Sequence, residues 1–241
     1  MNAAQRLAAF GVVVAAVFGI GIGAGALLGP AAAAQEEMTP APLGEGVVST
    51  RDGYRFVPAN TDLPAGGGDF HFVIEGPDGN AVHTFTKIHE KDLHFILVNR
   101  ELPVFHHVHP TLAADGTWSI ALPALSAGSY RAVADFEVAS GPRLALGVDL
   151  AVAGTYTTSA LAAPATTSVV DGYAVTIATE VKRGGEVKIA LTVRKDGRLV
   201  KDLQPYLGAF GHLVAMRSGD LAYAHVHPTT TSTASSTSTP N

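Results

Sequence analysis

The chain has no cysteine. That excludes disulfides, thiolate metal sites and cysteine nucleophiles, so a bound metal would rest on imidazole, carboxylate, backbone carbonyl or thioether. Thioether is scarce as well: of Met1, Met38 and Met216, only the last stands near a histidine-rich stretch. Charged residues make up only 15% of the 241, and the formal net charge is −5. No cluster of Lys and Arg is present to track phosphates, which argues against nucleic acid as a partner. Helical periodicity is almost missing beyond the N-terminus. In its place stand short alternating segments separated by Gly, Pro and Asp turns, the pattern of an all-β chain.

What the sequence does have is histidine, and it is placed twice in the same way. Residues 94–110 (HFILVNRELPVFHHVHP) return without a gap as residues 212–228 (HLVAMRSGDLAYAHVHP), so that His94, His107, His109 and Pro110 fall on His212, His225, His227 and Pro228. Alternation on each side of a turn signal predicts a β-hairpin in each copy. With Gly219-Asp220 as the loop, His212 lies opposite His227, and His225, two residues earlier, points to the same face. The same register joins His94, His107 and His109. Cβ atoms of opposed strand residues are roughly 4.5–5.5 Å apart, so three imidazoles converge in each copy. His89, just ahead of the first hairpin, is a candidate fourth ligand there; Leu207 takes its place in the second. His106 points away from the His107/His109 face, and His71 and His83 have no counterparts in the second copy. Because imidazole must be neutral to ligate, an ordinary pKa of about 6.5 predicts loss of metal as pH falls through roughly 6.

Residues 1–35 read as an export segment. Arg6 precedes an apolar run over residues 7–28, which at 1.5 Å per residue spans about 33 Å, enough for a bilayer. The length favours an uncleaved signal-anchor, with the body outside the cytoplasm; the alanines at 31–34 supply cleavage sites for the alternative, a secreted protein. Residues 36–45 are a linker. Residues 46–153 are expected to form a β-sandwich with strands at 54–57, 69–75, 81–86, 93–98, 116–122, 130–138 and 144–152. Residues 154–167 form a second linker. Residues 168–228 repeat the opening of the first domain, with Asp171-Gly172-Tyr173 matching Asp52-Gly53-Tyr54, but stop before the strands that follow HVHP. The second domain is thus expected to be an incomplete repeat, followed by a Ser/Thr tail over 229–241 with a disordered composition.

Three readings of the histidines compete. A nitrogen-only set outside the cytoplasm suits copper first and zinc second, for sequestration or for handover to another exported metal-handling protein. Alternatively, the chain is an Ig-like structural or interaction module whose histidine clusters hold no metal. A zinc hydrolase with an open three-histidine site ranks last, because Glu90 is the only acid near a cluster that could serve as general base, and the second copy has none. The chain is therefore not expected to be an enzyme.

The stretches KIHEKDLHFILVNRELPVFHHVHPTLAADGTWSIALPALSAGSYRAVADFEV and DLQPYLGAFGHLVAMRSGDLAYAHVHP resemble a family of exported or membrane-anchored actinobacterial proteins described as heavy-metal-binding or YtkA-like. The likeness spans about residues 45 to 228. It implies tandem Ig-like β-domains, export, and a part in metal handling, copper above all. In the similar proteins the second domain continues past HVHP into a closing strand.

Overall fold

Apolar alternation becomes strand along most of the chain. The computed structural model describes residues 44–158, 160–180 and 188–226, all within one compact unit, Leu43–Asn241. Among the described residues there is no helix, and the elements run β1 (Thr50–Arg51), β2 (Tyr54–Pro58), β3 (Asp62–Leu63), β4 (Gly68–Glu75), β5 (Phe85–Thr86), β6 (Leu93–Asn99), β7 (Phe105–Val108), β8 (Thr111–Leu112), β9 (Thr117–Leu122), β10 (Gly128–Val138) and β11 (Arg143–Val152). After the connector come β12 (Thr167–Val170), β13 (Tyr173–Glu180), β14 (Lys188–Lys195), β15 (Arg198–Leu199), β16 (Leu213–Met216) and β17 (Tyr223–Val226). The expected strands in the first half are present, except that 81–86 is reduced to β5 and a bridge from Ala81 to Glu75.

The first half is built from two sheets, β1-β2-β4-β9-β8 and β3-β11-β10-β6-β7, with β5 also on β10. Alternate residues of each sheet meet in one core: Phe70, Phe72 and Ile74 of β4 and Trp118 of β9 face Phe95 and Leu97 of β6, Phe136 of β10 and Leu146 of β11. The rings interlock, with Phe72 stacked on Phe95 at 5.6 Å and Phe85 edge-on to Trp118 at 5.2 Å between centroids. A sheet with one wet face would show a clean in-out alternation. In β6 every residue is buried. That requires a second layer on the outer face.

The second histidine hairpin supplies that layer. Leu221 and Tyr223 pack with Ile96, Val98, Val133 and Ala145, and Val214 and Met216 lie against the same patch. A strap at residues 44–48 ties the hairpin to the sheet. Gly46 N–H donates to Ala145 O at 2.9 Å, while Tyr223 N–H donates to Glu45 O at 2.7 Å. The strap passes so close to β11 that a Cβ at Gly147 would collide with the Gly46 carbonyl. Arg131, buried on the same outer face, holds the strap by donating to Val47 O at 2.9 Å and pairs with Asp149.

The sheet β12-β13-β14-β15 follows the register of the first copy, pairing Val175 with Val193 as β2 and β4 pair Phe56 with Ile74. One face is apolar, with Val170, Val175, Ile177, Leu191 and Val193 in alternate positions. None of the side chains described in these strands is buried. The expected second sandwich therefore has no core of its own among the described residues, and its hairpin β16–β17 is spent on the first half. The export segment (1–35), most of the linker at 36–45 and the tail at 229–241 lie outside the described residues; within those residues no helix is long and apolar enough to cross a membrane.

Leu221 is fully buried in the outer layer. Leu221→Ala should lower stability by roughly 2–4 kcal/mol in denaturant unfolding, through lost transfer energy and a cavity. Amide exchange should be slowest in β6, β10 and β11 and fastest in β12–β15, where little apolar contact protects the ladder.

Candidate metal centre

The first hairpin adopts the expected register. Phe95 pairs with Val108 and Ile96 with His107, which sets His109 opposite His94 one step further on. In the second, Leu213 pairs with Val226 and Val214 with His225, the register expected for that copy. His94, Ile96 and Val98 share the outer face of the sheet, the face that β16–β17 covers. Two separate triads were expected. The structure instead brings the second-copy histidines among the described residues, His212 and His225, beside those of the first copy, because the second hairpin lies over the first.

His94, fully buried, stands at the centre. Its Nε2 donates to Ile88 O at 2.9 Å, and since a carbonyl can only accept, the proton sits on Nε2 and the lone pair on Nδ1. That Nδ1 is 3.1 Å from Nε2 of His107 and 3.1 Å from Nε2 of His109. One ligand nitrogen each from His94, His107 and His225 lies within 4.8 Å of the other two. For a tetrahedral ion with metal–nitrogen bonds of 2.0–2.1 Å, ligand nitrogens are about 3.3 Å apart. The His94–His107 spacing fits that geometry closely. The ring centroids agree: His94–His107, His94–His225 and His107–His225 are 5.3, 5.0 and 5.1 Å apart.

His109 adds a fourth ring, 4.8 Å from His94 and 5.4 Å from His107. His89 and His212 complete the group on one side, 5.8 Å from each other and 6.3 and 6.1 Å from His225. His89, expected as a fourth ligand in the first copy, thus stands slightly nearer His212 and His225 than His94, whose ring is 6.4 Å away. His227 lies outside the described residues. His106 pairs with Leu97 on the opposite face of β7, and His71 is exposed on β4.

The two copies hold their leading histidine by the same device. Ile88 and Lys91 exchange backbone hydrogen bonds around His89 and Glu90, both with positive φ. Tyr206 and Ala209 do the same around Leu207 and Gly208, again both with positive φ. These are two-residue turns of the I′ kind. In each, the first carbonyl of the turn accepts from Nε2 of the histidine six residues on, at 2.9 Å for His94 and 2.8 Å for His212.

Burial and crowding favour the neutral form of His89, His94, His107 and His109. Desolvation first, and then the neighbouring histidines, lower His107 to about 3. The same causes, with Lys91, lower His109 to about 4. Burial also lowers His94, against the opposing effect of the Ile88 carbonyl, and lowers His89. Neutral imidazoles whose ring nitrogens converge can exchange their mutual hydrogen bonds for bonds to a divalent cation.

A residue that the histidine pattern does not point to also belongs to the centre. Asp135 of β10 sits opposite His94 across the ladder and is only 3% exposed. Its carboxylate accepts from Tyr223 Oη at 3.0 Å and His225 Nδ1 at 3.1 Å, with Arg143 3.5 Å away. Burial pushes the Asp135 pKa up, but the His225 hydrogen bond and the Arg143 charge outweigh it, and the net shift is downward. Tyr223 is pushed up, by burial and then by the Asp135 charge. The signal in the sequence is a charge inside the apolar strand Tyr130–Val138, where an aspartate must find partners.

A family described as "Domain of unknown function (DUF8832)" matches residues 167–240, a span that holds His212, His225 and His227 and none of the first-copy histidines. Among curated proteins nothing matches this chain. Among solved structures, the chain is similar to "Crystal structure of the Lin-41 filamin domain" at 13% identity, over 46% of this chain and 98% of that one, with a TM-score of 0.27. So slight a likeness carries no argument about fold or function.

Proposed function

We propose that this protein binds one divalent transition-metal ion per chain through imidazoles drawn from both copies, and that it sequesters or hands over that ion outside the cytoplasm. The observation that carries the reading is the convergence of His94, His107 and His225 nitrogens within 4.8 Å, from hairpins more than a hundred residues apart in sequence. Copper is the favoured ion and zinc the second, since the donors are borderline nitrogens, cysteine is absent and methionine is scarce. The apolar run at 7–28 supports a membrane anchor, with the body on the far side. An enzymatic role has less support: the carboxylate in the centre, Asp135, is engaged by His225, Tyr223 and Arg143. The Ig-like likeness of the sandwich remains part of this proposal, as does the kinship with YtkA-like proteins.

The reading predicts one Cu(II) or Zn(II) per untagged chain by mass spectrometry and titration. His107→Ala and His225→Ala should each weaken binding by at least tenfold, whereas His106→Ala should leave it unchanged. If His225→Ala binds as tightly as the parent, the second copy does not contribute and the pooled centre is wrong. Two independent ions per chain would favour separate triads.

The acid response has a definite sign. In the unfolded chain the histidines take up protons near pH 6.5, whereas folded His107 and His109 stay neutral down to about 3 and 4. The metal-free fold is therefore not penalised above pH 6.5, and it loses stability as pH falls from there toward 4. His107→Ala should flatten that slope in melting curves taken across this range. Metal should be retained at pH 5, below the value of roughly 6 that ordinary histidines suggest, and be displaced nearer pH 4; release complete by pH 6 would contradict the neutral cluster.

A further inference from the structure

Every ligand nitrogen in an imidazole site has a twin on the same ring, and something must decide which one faces the ion. For His94 that choice falls to a backbone carbonyl, Ile88 O, which takes the Nε2 proton and leaves Nδ1 toward the centre. For His225 the acceptor is of another kind, a carboxylate. In its copy, the carbonyl of Tyr206 serves His212 instead. What touches His225 Nδ1 is the Asp135 carboxylate, and Asp135 comes from the other half of the chain. We propose that Asp135 is the positioning residue of the metal centre: it holds His225 as the Nδ1–H tautomer, directs Nε2 to the ion, and forms a carboxylate–imidazole–metal relay across the two copies. The inference rests on the metal reading given above.

Three features of the surroundings fit this role. Asp135 occupies the strand position facing His94, so a single row across β6 and β10 carries one ligand and the carboxylate that orients another. Tyr223, two residues before His225 on the same face of β17, donates to the same oxygen, Oδ2, that accepts from His225. The tyrosine thus fixes the carboxylate rotamer, and Arg143 balances its charge. A buried carboxylate is costly unless charge and hydrogen bonds compensate it, so packing alone would not favour aspartate at this place. An acceptor with a full negative charge also makes the ligating imidazole more basic, which strengthens its bond to a divalent cation. Loss of such an outer partner typically weakens metal affinity roughly 10–100-fold.

The test uses the full chain, with Zn(II) and Cu(II) titrated against a competing chelator. Asp135→Asn keeps the side-chain shape and removes the charge, and it should weaken both metals by roughly 10–100-fold. Tyr223→Phe, which leaves the carboxylate in place, should cost less. Asp135→Glu should recover part of what Asp135→Asn loses. A second measurement stands even if Asp135→Asn fails to fold: nitrogen NMR of the metal-free parent should show His225 protonated at Nδ1 and His94 at Nε2. The opposite tautomer at His225 overturns the proposal. So does a folded Asp135→Asn that binds both metals like the parent while His107→Ala does not, a result that leaves the metal reading intact. A parent chain that takes up neither ion overturns both.

Discussion

The docking of the second hairpin onto the outer face of the first sheet is the contact on which the centre depends. It is an apolar contact before it is a polar one. Ile96, Val98 and Val133 form a patch that water would otherwise cover, and Leu221, Tyr223, Val214 and Met216 close it. Burying a side chain such as Leu221 stabilises by about 1.5–3 kcal/mol. Several such burials offset the cost of ordering a hairpin that makes no ladder with the sheet beneath it. Once the hairpin is held, Tyr223 and His225 have little freedom, and both come to rest on Asp135.

The polar part of the interface is dense and arranged around few acceptors. Asp135 gathers Tyr223, His225 and Arg143, and Ile88 O fixes His94. In a dry setting, each unsatisfied partner would cost more than its hydrogen bond contributes, so such a network specifies one arrangement. The strap at residues 44–48 belongs to the same design. It joins the sheet edge to the hairpin through backbone bonds at Gly46 and Tyr223. Electrostatics follows from the packing: histidines crowded against one another and away from water remain neutral, and neutral rings present lone pairs.

The four-stranded sheet β12–β15 shows the converse. Its alternation is as regular as that of β2 and β4, with aliphatic residues at positions where the first copy has Phe70, Phe72 and Ile74. Yet Val170 and Leu199 are 65% and 48% exposed. Alternation produces strands and a register wherever it occurs. A core needs a second layer, and the hairpin that might have supplied part of one here packs elsewhere.

Much could be read from residues alone. The strands of the first half, the doubled hairpin, its register and the three-residue convergence of His94, His107 and His109 all follow from period-two alternation and turn chemistry, which act over a few residues. The direction of His106 away from that face follows in the same way. The choice between two triads and one shared cluster does not. Nothing local tells His225 to approach His94 and His107 rather than His212 alone; that is settled by which apolar faces find each other across more than a hundred residues. Asp135 was hidden for the same reason, since its partner His225 lies far along the chain and its own strand shows only a charge in an apolar run. Local pattern determined where imidazoles stand on each hairpin, and long-range burial decided which of them meet.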